Sequence, residues 1–306
     1  MKWIKSYLGE FILLAASMIW GTAFIFQSLA NDVMQPYTFV TMRSLIASIV
    51  MGLVILIRGK LDPKKHWKQL GNTKGYRLAF FAGIALSIAM ILQQVGLVGT
   101  TSGKAGFLTA LYILFVPFLG LLIGKKPSKL IWLALSGALI GFYLISMNGE
   151  AIFNIILSDM LIIGCAFAYA FQIFFIDQVG QRLDSLMFTF IQFFVATWIT
   201  AIPMLVMEGL DFSFLSSTQA IYALLYVGVV SSCIAYTFQI MGQKRVKSAP
   251  VATLIMSLES VFALLAGLLF LNETLSLFQG LGMGFILISI LIVNIPWDKV
   301  LQRNLK

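Results

Sequence analysis

The residues that could do chemistry in this chain are few, and they sit where the surrounding sequence tolerates them least. Glu259 stands in an apolar stretch 11 residues after Ser248, which at the helical rise is roughly 16 Å along an axis. Arg43 follows Pro36 by seven residues, roughly 10 Å into a second apolar stretch. An ionisable side chain inside hydrocarbon is expensive, so each is a functional hypothesis in its own right. A carboxylate at mid-depth could carry a proton, attract a substrate ammonium or pair with a helix-borne cation. It could equally hold structure, or take part in gating, through neighbouring backbone. A guanidinium could clamp a carboxylate bidentately, or bind helix-end carbonyls and hold the bundle together. Lys104 opens a further apolar stretch, where a long side chain can snorkel to water. A mouth residue or plain anchor fits it better than a ligand.

Uncharged polar and aromatic residues recur around these charges at helical spacing. Trp20, Phe24 and Gln27 share one face at i, i+4 and i+7, and Ser232, Tyr236 and Gln239 repeat that spacing. Thr109 with Tyr112, Tyr169 with Gln172 and Thr189 with Gln192 are i, i+3 pairs, and Gln93 adds another amide. Polar side chains in a bilayer face protein or a cavity rather than lipid, with hydrogen bonding between helices as the competing use. The candidate cavity set is Trp20, Phe24, Arg43, Gln93, Thr109, Tyr112, Tyr169, Gln172, Gln192, Ser232, Tyr236, Gln239 and Glu259. Its mixture of aromatic rings and amides suits a partly apolar organic solute. The GxxxG spacings Gly120/Gly124, Gly137/Gly141 and Gly280/Gly284 read as close helix packing.

Other chemistries find no support. An enzyme within the membrane needs a nucleophile–base set, a metal cluster or a phosphate-binding group. This chain has one histidine, His66, in a lysine-rich loop, and no acidic pair within an apolar stretch. Cys165 and Cys233 lie in apolar runs and read as small buried hydrophobes rather than a disulfide or metal pair. No cofactor is expected. No ATP-binding motif is present, which argues against a self-contained ATP-driven pump. The net charge of +9 is not a nucleic-acid signal, since no basic run is interleaved with aromatics.

The elements that must position these residues follow from composition. Of the 306 residues 60% are hydrophobic and 11% charged, against roughly 45–50% and 25% in globular proteins. Apolar runs punctuated by charge, Gly and Pro predict ten membrane-spanning helices, at 10–30, 36–57, 77–98, 104–124, 130–147, 157–177, 186–207, 218–240, 248–271 and 275–296. The first run is longer than the 7–15-residue core of a cleavable signal and reads as a retained helix. An inside N-terminus puts 19 of the 21 lysines and arginines on the cytoplasmic side, with Arg43 and Lys104 within or at the edge of spans. That asymmetry is the positive-inside pattern. It predicts cytoplasmic N- and C-termini around an even number of spans.

The chain also repeats itself weakly. A shift of 149 residues pairs Glu10 with Asp159, Trp20 with Tyr169, Phe39 with Phe188, Arg43 with Gln192 and Ala47 with Ala196. A shift of 146 pairs Ile88, Ala89, Gln93, Gly96 and Ser102 with Ile234, Ala235, Gln239, Gly242 and Ser248. Five spans per copy is odd, so residues 1–148 and 149–306 are predicted to cross the bilayer in opposite senses. Inverted repeats place a substrate site near the midplane between the halves and permit alternating access.

Short motifs fall in a recognisable order along this frame. They are Trp20-Gly21, then Pro36 with Arg43-Ser44-Leu45-Ile46-Ala47, Leu258-Glu259-Ser260, Leu271-Asn272-Glu273, and Gln279 through Gly282. With ten spans, the chain resembles a drug/metabolite transporter of the EamA type over nearly its whole length. The resemblance implies 5+5 inverted helices around a central cavity, lined by the first four helices of each half with the fifth outside. It also implies transport of amino acids, metabolites or toxic organic compounds. Two departures stand out. Ser260 replaces a proline that the family often carries after the glutamate, removing the ring that would kink the helix. Gly124-Lys125-Lys126 replaces a Gly-Glu-basic turn in the first half, leaving only Glu273 in the second.

The expectation is therefore a secondary transporter in a prokaryotic cytoplasmic membrane, exporting an amino acid or related metabolite. A passive channel or a multidrug-type exporter is the alternative. Proton coupling would hang on Glu259. The partners are a small-molecule substrate and the lipid bilayer, with no nucleic acid, and the chain acts as a monomer or homodimer.

Overall fold

The computed structural model describes residues 7–61, 72–147, 156–180, 182–270 and 276–294, and their regular elements are all helices. Eight helices are long and apolar enough to cross a bilayer: α1 (Leu8–Asn31), α2 (Pro36–Leu61), α3 (Thr73–Leu97), α4 (Ser102–Leu122), α6 (Leu157–Val179), α7 (Ser185–Glu208), α8 (Thr218–Gln243) and α9 (Ala249–Leu269). Two more, α5 (Lys129–Met147) and α10 (Leu277–Asn294), have shorter apolar stretches, Lys129–Leu144 and Leu277–Val293. Each predicted span overlaps one of these helices, and residues 271, 275, 295 and 296 of the last two predicted spans lie outside the described residues. His66, the basic residues Lys2, Lys5, Lys64, Lys65, Lys68, Lys299, Arg303 and Lys306, the acid Glu150, and Leu271-Asn272-Glu273 lie outside the described residues.

Helix starts follow local capping. Side chains of Asn72, Thr101, Asp184 and Ser217 accept hydrogen bonds from the amides of Gly75, Lys104, Leu186 and Ala220, which satisfies donors a helix end leaves free. The start of α2 is capped from another helix. Glu208, ending α7, accepts from the Tyr37 and Thr38 amides at 2.9 and 2.6 Å and from Thr38 Oγ1 at 2.7 Å. A carboxylate there also complements the helix dipole.

Burial is inverted relative to a water-soluble protein. Leu56, Trp198 and Leu291 are exposed on the outside, while Arg43, Gln93, Gln172, Gln192, Gln239 and Glu259 are buried. A surface of large apolar side chains matches lipid, and the polar groups turn inward to find partners.

Three helices lose α-regularity at mid-length. α4 is interrupted at Leu111, so that Tyr112 begins its second piece. α9 breaks at Ser257–Leu258, so that Glu259 begins its second piece. α8 runs as a π-helix from Tyr226 to Ala235. Without a proline at 260, α9 is still interrupted at Ser257–Leu258. Ser260 instead donates through Oγ to the Gly106 carbonyl at 3.2 Å, tying α9 to α4. Irregular backbone at membrane depth is tolerated where it lines a cavity or is buried in protein, and π turns cluster at functional sites.

Of the three GxxxG spacings, Gly137/Gly141 packs closely at both glycines. A methyl on Gly141 would lie 2.6 Å from the Gly282 carbonyl oxygen and 2.8 Å from Ile286 Cγ1 of α10. Gly124 instead ends α4 in the left-handed region at φ 78°, and a methyl on Gly284 would meet nothing within 4 Å. The spacing alone does not say which face a helix turns to its neighbour.

Candidate substrate site

Ten of the thirteen candidate residues wall one cavity. α1 contributes Trp20 and Phe24, α2 Arg43, α3 Gln93, α4 Thr109 and Tyr112, α6 Tyr169, α8 Tyr236 and Gln239, and α9 Glu259. The other three stand one layer behind. Ser232 Oγ accepts from Arg43 Nε and Nη2, both at 3.3 Å. Gln172 exchanges amide hydrogen bonds of 3.2 Å with Gln239 and donates a further one, also 3.2 Å, to Gln192 Oε1.

Four lining residues were not among the thirteen: Gln27, Ile173, Ser231 and Met256. Gln27 carried a usable signal, since it shares the face of Trp20 and Phe24. Ile173 and Met256 are apolar in an apolar chain and offer none. Ser231 joins the wall from the π segment of α8, whose longer turn breaks the α-helical spacing that singled out Ser232.

A rail of hydrogen bonds fixes one side. Tyr236 donates to the Tyr169 hydroxyl oxygen at 3.2 Å, Tyr169 to Gln93 Oε1 at 3.3 Å, and Gln93 Nε2 to Thr109 Oγ1 at 3.1 Å. The Tyr236 ring is clamped edge-on by Trp20 at 5.0 Å and by Phe193 at 5.1 Å between centroids. These contacts lock rotamers, which is how a site is held to geometry.

Other polar atoms of the wall, Glu259 Oε1, Tyr112 Oη and Trp20 Nε1, have no hydrogen-bond partner among the described residues. Buried polar atoms are normally paired, and the Tyr112 hydroxyl is a donor placed beside the Glu259 carboxyl. Arg43 is partnered, but only by neutral oxygens: Ser232 Oγ, and Gln27 Oε1 at 3.0 Å from Nη1. The space they enclose is about 40 Å³.

The remaining charges sit toward helix ends. Lys104 Nζ pairs with Asp159 Oδ2 at 2.7 Å, and Asp159 also accepts from the Ile156 amide at 3.1 Å. Lys104 is absent from the cavity wall and serves as an anchor between α4 and α6. Lys125 pairs with Asp177, and Arg58 with Asp184 at 3.2 Å. Lys244, just past α8, donates to the Leu183 carbonyl at 2.6 Å and to Ser185 Oγ at 3.3 Å. Burial pushes its ammonium down to about 8. Cys165 and Cys233 are free and buried. No grouping of His, Cys, Asp and Glu among the described residues could hold a metal ion.

Known proteins resemble this chain at two levels. In fold, a crystal structure of a protein superposes with a TM-score of 0.73 at 15% identity, covering 94% of this chain and 95% of that one. In sequence, an uncharacterized transporter of Archaeoglobus fulgidus is 30% identical over 293 residues, 95% of this chain and 87% of the relative. The uncharacterized transporter YwfM of Bacillus subtilis is 23% identical over 293 residues, 95% of each. Such relatives go with a multi-pass protein of a prokaryotic plasma membrane, and with a transporter rather than an enzyme. The profile of the EamA-like transporter family matches residues 7–147 and again 156–295, and the chain belongs to that family.

Proposed function

We propose that this protein is a secondary transporter that exports a small organic solute, an amino acid or related metabolite. It works by alternating access between two inverted five-helix halves, residues 1–148 and 149–306, with both termini cytoplasmic. The observation that carries this reading is the cavity, walled from both halves and carrying polar atoms with no hydrogen-bond partner among the described residues. At about 40 Å³ it holds a water molecule or two rather than a metabolite. A solute reaches these atoms only if the surrounding helices part. Two separate matches to one family profile support the repeat, and the asymmetric lysines and arginines support the orientation. The interrupted α4 and α9, fourth in each half, are the kind of broken helices that hold substrate in inverted-repeat carriers. Glu259 is the group positioned to take up a proton in exchange for solute.

The test is counterflow. Purified protein in liposomes preloaded with unlabelled amino acids is expected to drive saturable accumulation of labelled solute against empty controls, with a pH gradient altering the rate. Exchange of no solute would overturn the reading. A non-saturating conductance would replace it with a passive channel. An unchanged pH response in Glu259→Gln would remove the coupling role.

A further inference from the structure

The bilayer side of the seam between α1 and α8 is recessed. Phe26 and Leu29 of α1 and Tyr222, Leu225, Tyr226 and Val230 of α8 wall a groove of about 570 Å³. Leu29, Tyr222 and Leu225 are exposed along it. The groove and the central cavity flank the same helix. Trp20, Phe24 and Gln27 line the cavity, while Thr22, Phe26 and Leu29 repeat their spacing two residues on, about 200° further round α1.

The floor of the groove is closed to polar chemistry. The Thr22 and Tyr226 hydroxyls meet at 2.5 Å, and Thr22 also reaches the Ile19 carbonyl at 2.9 Å. The Tyr226 ring stacks on Phe26 with 4.2 Å between centroids. With these hydroxyls engaged by the protein, the floor is left with apolar surface to offer. Polar groups gather at one end instead. Gln219, one residue into α8, donates to the Leu29 carbonyl at 2.8 Å. The exposed side chains of Gln219 and Tyr222 bring an amide and a hydroxyl to that mouth.

Length and width decide what fits. Gln219 and Val230 stand 11 residues apart on α8, roughly 16 Å along the axis. That is about half of a ~30 Å hydrocarbon core, so the groove runs the depth of one leaflet. Its volume over that length leaves a cross-section of roughly 35 Å². A helix about 10 Å across occupies roughly 80 Å². A helix of a second copy is therefore too wide, whereas an extended hydrocarbon chain enters.

We infer that this groove seats one acyl chain of a phospholipid, lying along α8 in the leaflet where α8 begins, with the headgroup at Gln219 and Tyr222. Hydrocarbon surrounds the whole span, so the hydrophobic effect does not choose between this place and any other. Packing does. A chain in the recess is held by α1 on one side and α8 on the other, and gains dispersion contacts that a convex helix face lacks. A tyrosine at headgroup level suits the mouth. The chain also braces the seam from outside. Val230 meets it from the π segment of α8, whose next residue, Ser231, lines the cavity. The inference is independent of the cargo, and the outcome of counterflow does not bear on it.

The experiment strips lipid from the purified full-length protein in detergent and then returns it. Native mass spectrometry counts the phospholipid retained, and the melting temperature reads the seam, since a ligand raises stability by mass action. The probes are phosphatidylethanolamine, its one-chain lyso form, and glycerophosphoethanolamine, which is the headgroup alone. Before stripping, wild type is expected to retain one phospholipid per chain. Stripping should lower the melting temperature, and both lipids with a chain should restore it saturably while the headgroup alone does not. Leu225→Trp and Val230→Trp put a larger side chain into the outer and inner parts of the groove, and should lose both the retained lipid and the rescue. Leu53→Trp, at an equally exposed position of α2 outside the groove, should keep both. The wild-type series stands even if a variant does not fold. No retained lipid in wild type would overturn the inference, as would rescue by the headgroup alone or lipid retained in both groove variants. A wild-type dimer that the groove variants dissociate would assign the groove to a second copy and overturn it too.

Discussion

Among the helix pairs that meet through glycine, two contrast: one meets at the cavity and the other outside it. α5 and α10 close on each other at Gly141, where a methyl would lie 2.6 Å from the Gly282 carbonyl oxygen. Neither helix contributes a lining residue. α1 and α9 close at Gly21, where a methyl would lie 2.5 Å from Phe262 Cβ and 2.7 Å from the carbonyl oxygen of Glu259 itself. The packing device is the same, a bare Cα against another helix's backbone. What differs is what the contact fixes. At Gly141 it holds an outer pair together. At Gly21 it sets where the buried carboxylate stands relative to Trp20, its neighbour in sequence.

This contrast can be broken by substitution. Gly21→Ala is expected to have the largest effect, because backbone rather than a flexible side chain stands in the way. Overpacking of this kind costs about 1–3 kcal/mol, and displacement of α9 should also weaken solute binding by roughly tenfold or more. Melting temperature and a binding isotherm on the same preparation read both losses.

Gly141→Ala should cost a similar 1–3 kcal/mol of stability and leave solute affinity within about twofold of wild type. A parallel loss of affinity would mean that the outer pair is coupled to the site, and would erase the distinction. Arg43→Lys sharpens the contrast from the other side. It keeps the charge but loses the planar fork held by Ser232 and Gln27. We expect about a tenfold loss of affinity (~1.4 kcal/mol) with little change in melting temperature.

The smallest effect lies at the end of α8 and belongs to neither contact. The Lys244 ammonium sits at about 8, against an ordinary 10.5, because burial disfavours its charged form. Between those values the unfolded chain binds more protons than the folded one, so stability rises with pH across that window. A melting series from about pH 7.5 to 10.5 should show this slope, and Lys244→Gln should remove it while leaving solute affinity unchanged.

The cavity was largely legible because polar residues in an apolar chain have few places to go. The stripe of Trp20, Phe24 and Gln27 reaches the wall intact. Tyr236 and Gln239 reach it too, with Ser232 one layer behind on Arg43. Gln172 and Gln192 turned inward as expected, but Gln172 spends its amide on Gln239 and on Gln192 Oε1, and Gln192 Nε2 is left without a partner among the described residues. Periodicity gives the face of a helix, not the depth of each side chain. The interruptions at Leu111 and Ser257–Leu258 left no mark in composition. Without a proline at the break, such distortions are set by contacts between helices, as with Ser260 on the Gly106 carbonyl. The Lys104–Asp159 pair joins residues on separate helices, which a single sequence does not bring together. The glycine spacings held at Gly137/Gly141, which has a partner helix against its face, and not at Gly124 or Gly284, which have none.

The central claim is that the solute binds between these helices, at the residues that wall the cavity. The direct test is equilibrium binding of a labelled solute, identified by counterflow, to purified wild type, Arg43→Lys, Glu259→Gln and Gly141→Ala. The account predicts one site per chain, with affinity reduced about tenfold or more in the Arg43 and Glu259 variants and unchanged in the glycine variant. Wild-type affinity in both cavity variants would contradict it and place the solute elsewhere.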